Sequence, residues 1–206
     1  KAFQFQLRAF AEFLKVKPNA KIYLHTEPTT QYGGLDLIKL IEFLGIQDNV
    51  LFPDRYNNYL GVPSAQLNMV YNCADVLLSA TMVEGFGIPI IEAQASGTRV
   101  IVSDFSSMPE LVRKGYIIEP LDLFYTPMNS FQCLPDTKGI YDALIAAANT
   151  DFPVDSQIEL QNQIHNDYGW DNIVRDYWNP FLESLPVEPT KVEEKSKKSK
   201  PKVKEI

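Results

Sequence analysis

The segment "DVLLSATMVEGFGIPIIEAQASGTRVIVSD", residues 75–104, decides the fold. Residues 75–80 and 99–104 are short apolar runs, which is typical of strands buried on both faces of a sheet. Between them we expect a helix that begins at Pro89 and ends at Gly97, because proline is favoured in the first turn and glycine just after the last. Strand, helix and strand in this order predict two parallel strands joined by a crossover helix.

The same alternation continues on both sides. Apolar residues at helical spacing open the chain, and Ser64 is expected to cap the helix that follows it. Further strands are predicted at residues 20–26, 49–53 and 116–120. Further helices are predicted at 3–14, 34–45, 65–74, 108–115, 138–149, 154–168 and 170–185, with a loop from about 121 to 136. The pattern predicts an α/β domain with a doubly wound parallel sheet, Rossmann-like, whose first strand is missing because the chain opens on a helix.

Charge and cysteine content narrow the class of protein. The 206 residues carry a net charge of −7, and residues 190–206 contain seven lysines and three glutamates, so the body is strongly acidic and not a nucleic-acid binder. Residues 1–186 are predicted to be the folded domain and residues 187–206 a disordered tail. The alternative for the tail is a role at a membrane surface.

Cys73 is expected in the core and Cys133 in a loop. Two isolated cysteines favour a reducing, cytoplasmic location and no metal site.

The turn before the central helix has the chemistry of a ligand loop. In parallel sheets, ligands bind beyond the carboxyl ends of the strands, where this loop lies. Gly85 and Gly87 allow close approach of a ligand, and Pro89 begins the helix. The backbone N–H groups of Phe86, Gly87 and Ile88 are therefore expected to point outward at the positive end of the helix dipole, which favours phosphate.

Two carboxylates flank this loop. Glu84 lies before it and Glu92 is expected in the first helical turn. Carboxylates repel phosphate but accept hydrogen bonds from sugar hydroxyls, so a ligand with a central diphosphate and hydroxyl-rich ends fits, and a nucleotide-sugar is such a ligand. The residues alone leave a second interpretation open, in which Glu92 only stabilises the helix start and Glu84 is a solvated loop residue.

The sequence resembles a known enzyme family around this motif. "EGFGIPIIE" resembles the E-x7-E motif of retaining glycosyltransferases of the GT-B fold, in particular family 4. The flanking stretch "NMVYNCADVLLSATMVEGFGIPIIEAQASGTRVIVSDFSSMPELV" is similar to that family's sequence of helix, strand, motif, helix and strand. "QLRAFAEFLKVKPNAKIYLH" resembles its opening helix and strand, and "YGWDNIVRDYW" its closing helix. The resemblance covers residues 1–185 and implies the C-terminal, donor-binding half of a GT-B enzyme.

The resemblance also implies roles for single residues. Glu84 would bind hydroxyls of the donor sugar at the catalytic centre, and Glu92 would bind the ribose. The stretch of Gly85, Phe86, Gly87 and Ile88 would face the sugar and the diphosphate. Lys1 matches a lysine that grips the diphosphate in this family, although it is equally well a frayed terminal residue. Glu110 matches a usual family acid, and it is equally well a charge that stabilises a helix start.

The implied reaction is transfer of a sugar from an NDP-sugar with retention of configuration, and it needs no cofactor and no metal. The acceptor, whose identity stays open, would be held by an N-terminal domain, so this chain alone is expected to be inactive. One alternative is a non-catalytic nucleotide or nucleotide-sugar-binding module, and another is a phosphorylase or epimerase on the same scaffold.

Overall fold

The computed structural model describes residues 1–29 and 34–186, and the tail expected at 187–206 lies outside the described residues. The chain divides into two compact units, Lys1–Gly169 and a second unit that begins at Trp170. The candidate site belongs entirely to the first unit.

Within the described residues, five short parallel strands form the first unit's two main sheets. Strands β1 (Ile22–Tyr23) and β2 (Val50–Leu51) pair with each other, and β3 (Val76–Ser79), β4 (Arg99–Ser103) and β5 (Gly115–Ile118) pair in that order. All five were expected from their apolar runs, and each predicted position is confirmed. A further strand ahead of the first helix stays a prediction.

Residues 121–136 were expected to be a loop, and this prediction is wrong. They contain an antiparallel hairpin of β6 (Asp122–Tyr125) and β7 (Phe131–Leu134). Aromatic residues favour strands, and Tyr125 packs edge-on against Phe131 across the hairpin with ring centroids 5.2 Å apart. In the turn, Asn129 takes the left-handed conformation, at φ 56°, which glycine more often occupies. Because no glycine stands there, the sequence does not mark the turn.

In the part of this unit that the structure describes, eight α-helices surround the strands. They are α1 (Phe3–Leu14), α2 (Leu37–Leu44), α3 (Arg55–Leu60), α4 (Ser64–Asn72), α5 (Ile88–Ala95), α6 (Met108–Leu111), α7 (Thr137–Asn149) and α8 (Val154–Tyr168). The α2 helix ends at Gly45, at φ 67°, as its sequence predicts. Ser64 does not cap α4, because Pro63 occupies the capping position and Ser64 is the first helical residue.

The three-stranded sheet of β3, β4 and β5 is covered on both faces, as expected for a doubly wound fold. On β4, Ile101 packs into a core formed mainly with α1, α2 and α7, whereas Val100 and Val102 pack into a second core beneath α5 and α6. Every residue of β4 is buried. Successive side chains of a strand point to opposite faces, so two apolar cores explain why the three central residues of β4, Val100 to Val102, are all apolar.

The second unit is helical from Trp170 to Ser184, which confirms the helix predicted at residues 170–185. Helix α9 (Trp170–Ile173) continues through a π-helical stretch at Val174–Trp178 into α10 (Asn179–Ser184). Among the helices within residues 1–29 and 34–186, none combines the length and the apolar character that a membrane-crossing helix needs.

Candidate functional site

The start of α5 is built around Gly87. This residue lies at φ 101°, a left-handed conformation that disfavours other residues, and a Cβ there would meet Ile90 Cδ1 at 3.0 Å and Leu111 Cδ1 at 3.1 Å. The helix begins at Ile88, one residue before the predicted start, and Pro89 lies within its first turn. A Cβ on Gly85 would meet nothing within 4 Å, so the space in front of Gly85 is open.

Two serines fix the carbonyl side of this loop. Ser106 Oγ donates to the Glu84 carbonyl at 2.6 Å, and Ser107 Oγ donates to the Phe86 carbonyl at 2.7 Å. Both serines lie in the turn after β4, where Ser106 takes a left-handed conformation at φ 60°. Because these serines occupy the carbonyl oxygens, the loop is held in a single orientation at the carboxyl end of the sheet.

The N–H side of the loop is available to a ligand. Among the described residues, the backbone N–H groups of Phe86, Gly87 and Ile88 have no hydrogen-bond acceptor in the protein. The side chains of Phe86 and Ile88 are 52% and 59% exposed beside them. Unsatisfied N–H groups at the start of a helix are suited to binding anions, and phosphate binding by this loop stays a prediction.

Glu84 has two partners in this site. Its carboxylate pairs with the Lys1 ammonium, and its Oε1 accepts a hydrogen bond from Thr81 Oγ1 at 3.3 Å. The Glu84 side chain is 15% exposed, whereas that of Lys1 is 58% exposed. The structure thus brings Lys1 and Glu84 together, although they are 83 positions apart in sequence.

Lys1 is held in place through its backbone. The buried side chain of Gln6 donates from Nε2 to the Lys1 carbonyl at 2.9 Å and to the Ala80 carbonyl at 3.1 Å. Ala2, at φ 59°, turns the chain into α1 between these contacts. The turn before α1 is therefore tied to the end of β3, which places the Lys1 side chain next to the motif loop.

Glu92 lies in the second turn of α5, as the fifth helical residue, and not in the first turn as predicted. The shift follows from the helix starting at Ile88. Glu92 Oε2 accepts a hydrogen bond from the Tyr71 hydroxyl of α4 at 2.9 Å. Burial raises the pKa of Tyr71, and the Glu92 carboxylate raises it further. No sequence signal marks Tyr71, because it lies 21 positions from Glu92 and the approach of α4 to α5 is set by packing.

The other sequence candidates fall in different places. Glu110 lies in the first turn of α6, which agrees with a role at that helix start. Cys73 is exposed at the end of α4 and Cys133 is fully buried on β7, so both cysteine predictions are wrong. Helix α4 has no fully buried residue and ends just before Cys73, so the thiol stays outside, whereas the hairpin brings Cys133 against the buried Thr81 carbonyl. Within the described residues, no cluster of three His, Cys, Asp or Glu side chains is placed to hold a metal ion.

A family model described as "Glycosyl transferases group 1" matches residues 1–122, which is more than half of the chain and includes the whole candidate site. The chain belongs to this family. The resemblance seen around the E-x7-E motif is therefore confirmed at the level of the glycosyltransferase family.

Curated relatives agree with this membership. The chain is 34% identical over 110 residues to a D-inositol 3-phosphate glycosyltransferase of Segniliparus rotundus, which covers 52% of this chain and 22% of that protein. It is 32% identical over 103 residues to the O-antigen chain mannosyltransferase B of Escherichia coli, which covers 46% of this chain and 27% of that protein. The chain thus spans about a quarter of the length of these two relatives.

Solved structures of glycosyltransferases share the fold. The C-terminal domain of a glycosyl transferase group 1 family protein from Francisella tularensis superposes with a TM-score of 0.54 at 21% identity, covering 86% of this chain and 80% of that one. HepE from Anabaena, solved in complex with UDP and glucose, superposes with a TM-score of 0.61 at 16% identity, covering 90% of this chain and 45% of that one. The fold is that of the Rossmann-like C-terminal half of a GT-B glycosyltransferase.

Proposed function

We propose that this domain binds the NDP-sugar donor of a retaining, family 4 glycosyltransferase. The observation that carries the proposal is the start of α5, where the N–H groups at residues 86–88 find no acceptor among the described residues and lie between Glu84 on the loop and Glu92 on the helix. An anion-binding centre between two carboxylates matches a diphosphate between two hydroxyl-rich groups.

The nucleotide end of the donor is assigned to Glu92. The Tyr71 hydroxyl occupies one lone pair of Oε2 at 2.9 Å and orients the carboxylate, whose remaining lone pairs accept hydrogen bonds from the ribose hydroxyls. Glu92 is partly exposed, so this interaction needs no rearrangement of α5.

The diphosphate is assigned to the N–H groups of Phe86, Gly87 and Ile88 together with Lys1. In the described structure the Lys1 ammonium pairs with Glu84. An incoming diphosphate carries more negative charge than one carboxylate, so it competes for the ammonium, and Lys1 then stabilises the charge that grows on the leaving diphosphate.

The sugar end is assigned to Glu84, which accepts hydrogen bonds from donor hydroxyls and orients the ring. We assign no protein nucleophile and no general base. Retention of configuration, independence of metals, and a cytoplasmic location are part of this proposal, as is an N-terminal domain that holds an acceptor. Without that domain we expect the donor to bind weakly and transfer to be absent.

Calorimetry with the full-length protein tests the assignment. We expect UDP, GDP or ADP to bind, with Glu92→Ala weakening nucleoside diphosphate binding about tenfold, the cost of one hydrogen bond to a charged group. Glu84→Gln should lower NDP-sugar affinity and leave the parent diphosphate nearly unaffected. If neither variant changes donor affinity, the assignment of both acids is wrong.

Donor hydrolysis separates the enzyme from a non-catalytic binding module. An active transferase releases nucleoside diphosphate slowly from its NDP-sugar even without acceptor, because water replaces the acceptor hydroxyl. A binding module shows affinity without release. Loss of release in Glu84→Gln, with diphosphate binding retained, supports the catalytic assignment.

A further inference from the structure

Thr81 connects the sheet to the motif loop. It follows β3 by two residues and is 3% exposed. Its hydroxyl Oγ1 lies 3.3 Å from Glu84 Oε1 and 3.3 Å from Met108 Sδ of α6. A hydroxyl has a single proton to donate, and a carboxylate is a much stronger acceptor than a thioether. The Thr81 proton is therefore directed at Glu84.

Contacts from two separate strands fix the backbone of Thr81. Its carbonyl accepts a hydrogen bond from Ser103 Oγ at the end of β4, at 2.9 Å, and from Cys133 Sγ on β7, at 3.4 Å. The N–H of Cys133 also donates to the Met82 carbonyl at 3.0 Å. The hydroxyl thus projects from a segment held on both sides, with Met108 packed against it.

The other partner of Glu84 is far less constrained. The Lys1 side chain is 58% exposed, and a diphosphate competes for its ammonium. Thr81 is buried and uncharged, so phosphate does not displace it. When the donor binds, the bond from Thr81 is the contact that continues to hold the Glu84 carboxylate.

We propose that Thr81 is a positioning residue, which orients Glu84 toward the donor sugar and thereby contributes to sugar affinity but not to diphosphate affinity. This role rests on the proposed function. It predicts that a Thr81 variant loses affinity for the NDP-sugar while it keeps its affinity for the parent diphosphate. Loss of packing alone would not produce this difference between the two ligands.

The test compares Thr81→Val, which keeps the volume and removes the hydroxyl, with Thr81→Ser, which restores it. Thr126→Val is the matched control, because Thr126 is also buried and its hydroxyl bonds to the Ser130 carbonyl within the hairpin. Calorimetry with the full-length protein would measure each NDP-sugar that the wild type binds and its parent diphosphate. We expect Thr81→Val to lose about tenfold in NDP-sugar affinity and less than twofold in diphosphate affinity, with Thr81→Ser and Thr126→Val close to wild type.

A double variant sharpens the test. If Thr81 acts through Glu84, then Thr81→Val in a Glu84→Ala background, which leaves no acceptor at position 84, costs no further NDP-sugar affinity. Additive losses, equal losses for both ligands, or wild-type affinity of Thr81→Val would each overturn the role of Thr81. These outcomes leave the proposed function standing as long as Glu84→Gln itself loses sugar affinity. If the wild type binds no nucleoside diphosphate or NDP-sugar, the proposed function fails and the role of Thr81 falls with it.

Discussion

The Tyr71 hydroxyl donates a hydrogen bond of 2.9 Å to Glu92, and this bond joins α4 to the helix that carries the proposed ribose contact. The same two helices are joined again by Ser96 Oγ, which donates to Asn68 Oδ1 at 3.0 Å. The orientation of Glu92 therefore depends on a helix that lies outside the motif.

The first prediction concerns binding. Tyr71→Phe removes the donor to Glu92 and keeps the ring, so the carboxylate gains rotational freedom. We expect nucleoside diphosphate affinity to fall about three- to tenfold, less than for loss of Glu92 itself, because the carboxylate stays and loses only an orienting hydrogen bond worth about 1 kcal/mol. Calorimetry measures this loss. Tyr59→Phe is the control, since Tyr59 is 86% exposed on α3, and an equal loss there would contradict the assignment.

The second prediction concerns alkaline pH. Burial and Glu92 raise the pKa of Tyr71 in the folded protein, whereas the unfolded chain ionises near the ordinary value of 10.0. Above that pH the unfolded state binds fewer protons than the folded state, so the free energy of unfolding falls as pH rises. Urea unfolding of wild type and Tyr71→Phe between about pH 9 and 11 should show the wild type losing up to about 1 kcal/mol more. Parallel curves for the two proteins would argue against a raised pKa.

The third prediction separates the two motif glycines. Gly87→Ala places a Cβ at φ 101° and within 3.0 Å of Ile90, so we expect a loss of about 1–3 kcal/mol in the free energy of unfolding. Gly85→Ala meets nothing within 4 Å and should change stability by less than about 0.5 kcal/mol. Its Cβ enters the space proposed for the donor, so NDP-sugar affinity should fall in a stable protein. Chemical denaturation and calorimetry measure the two effects separately.

The fourth prediction concerns thiol reactivity. Cys73 is exposed, whereas Cys133 is fully buried and burial raises the pKa of its thiol. Iodoacetamide should modify Cys73 in the native protein and Cys133 only after denaturation, as read by peptide mass spectrometry. In a Cys73→Ala variant the native protein should take up no label. Rapid native labelling of Cys133 would show that the β6–β7 hairpin opens readily.

The part of the fold that the sequence predicts is the part encoded in neighbouring residues. The β3, α5 and β4 elements follow from two apolar runs and a helix start marked by Gly87 and Pro89, all within 30 residues. The hairpin was missed because its turn depends on Asn129 adopting a left-handed conformation, which a local pattern of aromatic and polar residues does not reveal.

The site shows the same division between local and distant information. Glu84, Gly87 and Glu92 are recognisable from their spacing along the chain. Thr81 is three residues from Glu84 and yet was not identified, because the contacts that fix it come from Ser103 and Cys133 on distant strands. Contacts of this kind depend on how the elements pack, and the sequence contains no local mark of them.

The serine bonds to the motif loop have a consequence for engineering. Ser106 and Ser107 bond to the carbonyls of Glu84 and Phe86, so the loop after β3 and the turn after β4 share one geometry. A chimera that exchanges only residues 84–92 for those of another donor-binding domain would combine the foreign loop with the native serine turn, whose hydrogen-bond geometry fits the native loop. Transplanting the serine turn together with the loop is therefore the smallest exchange that we expect to transfer donor preference intact.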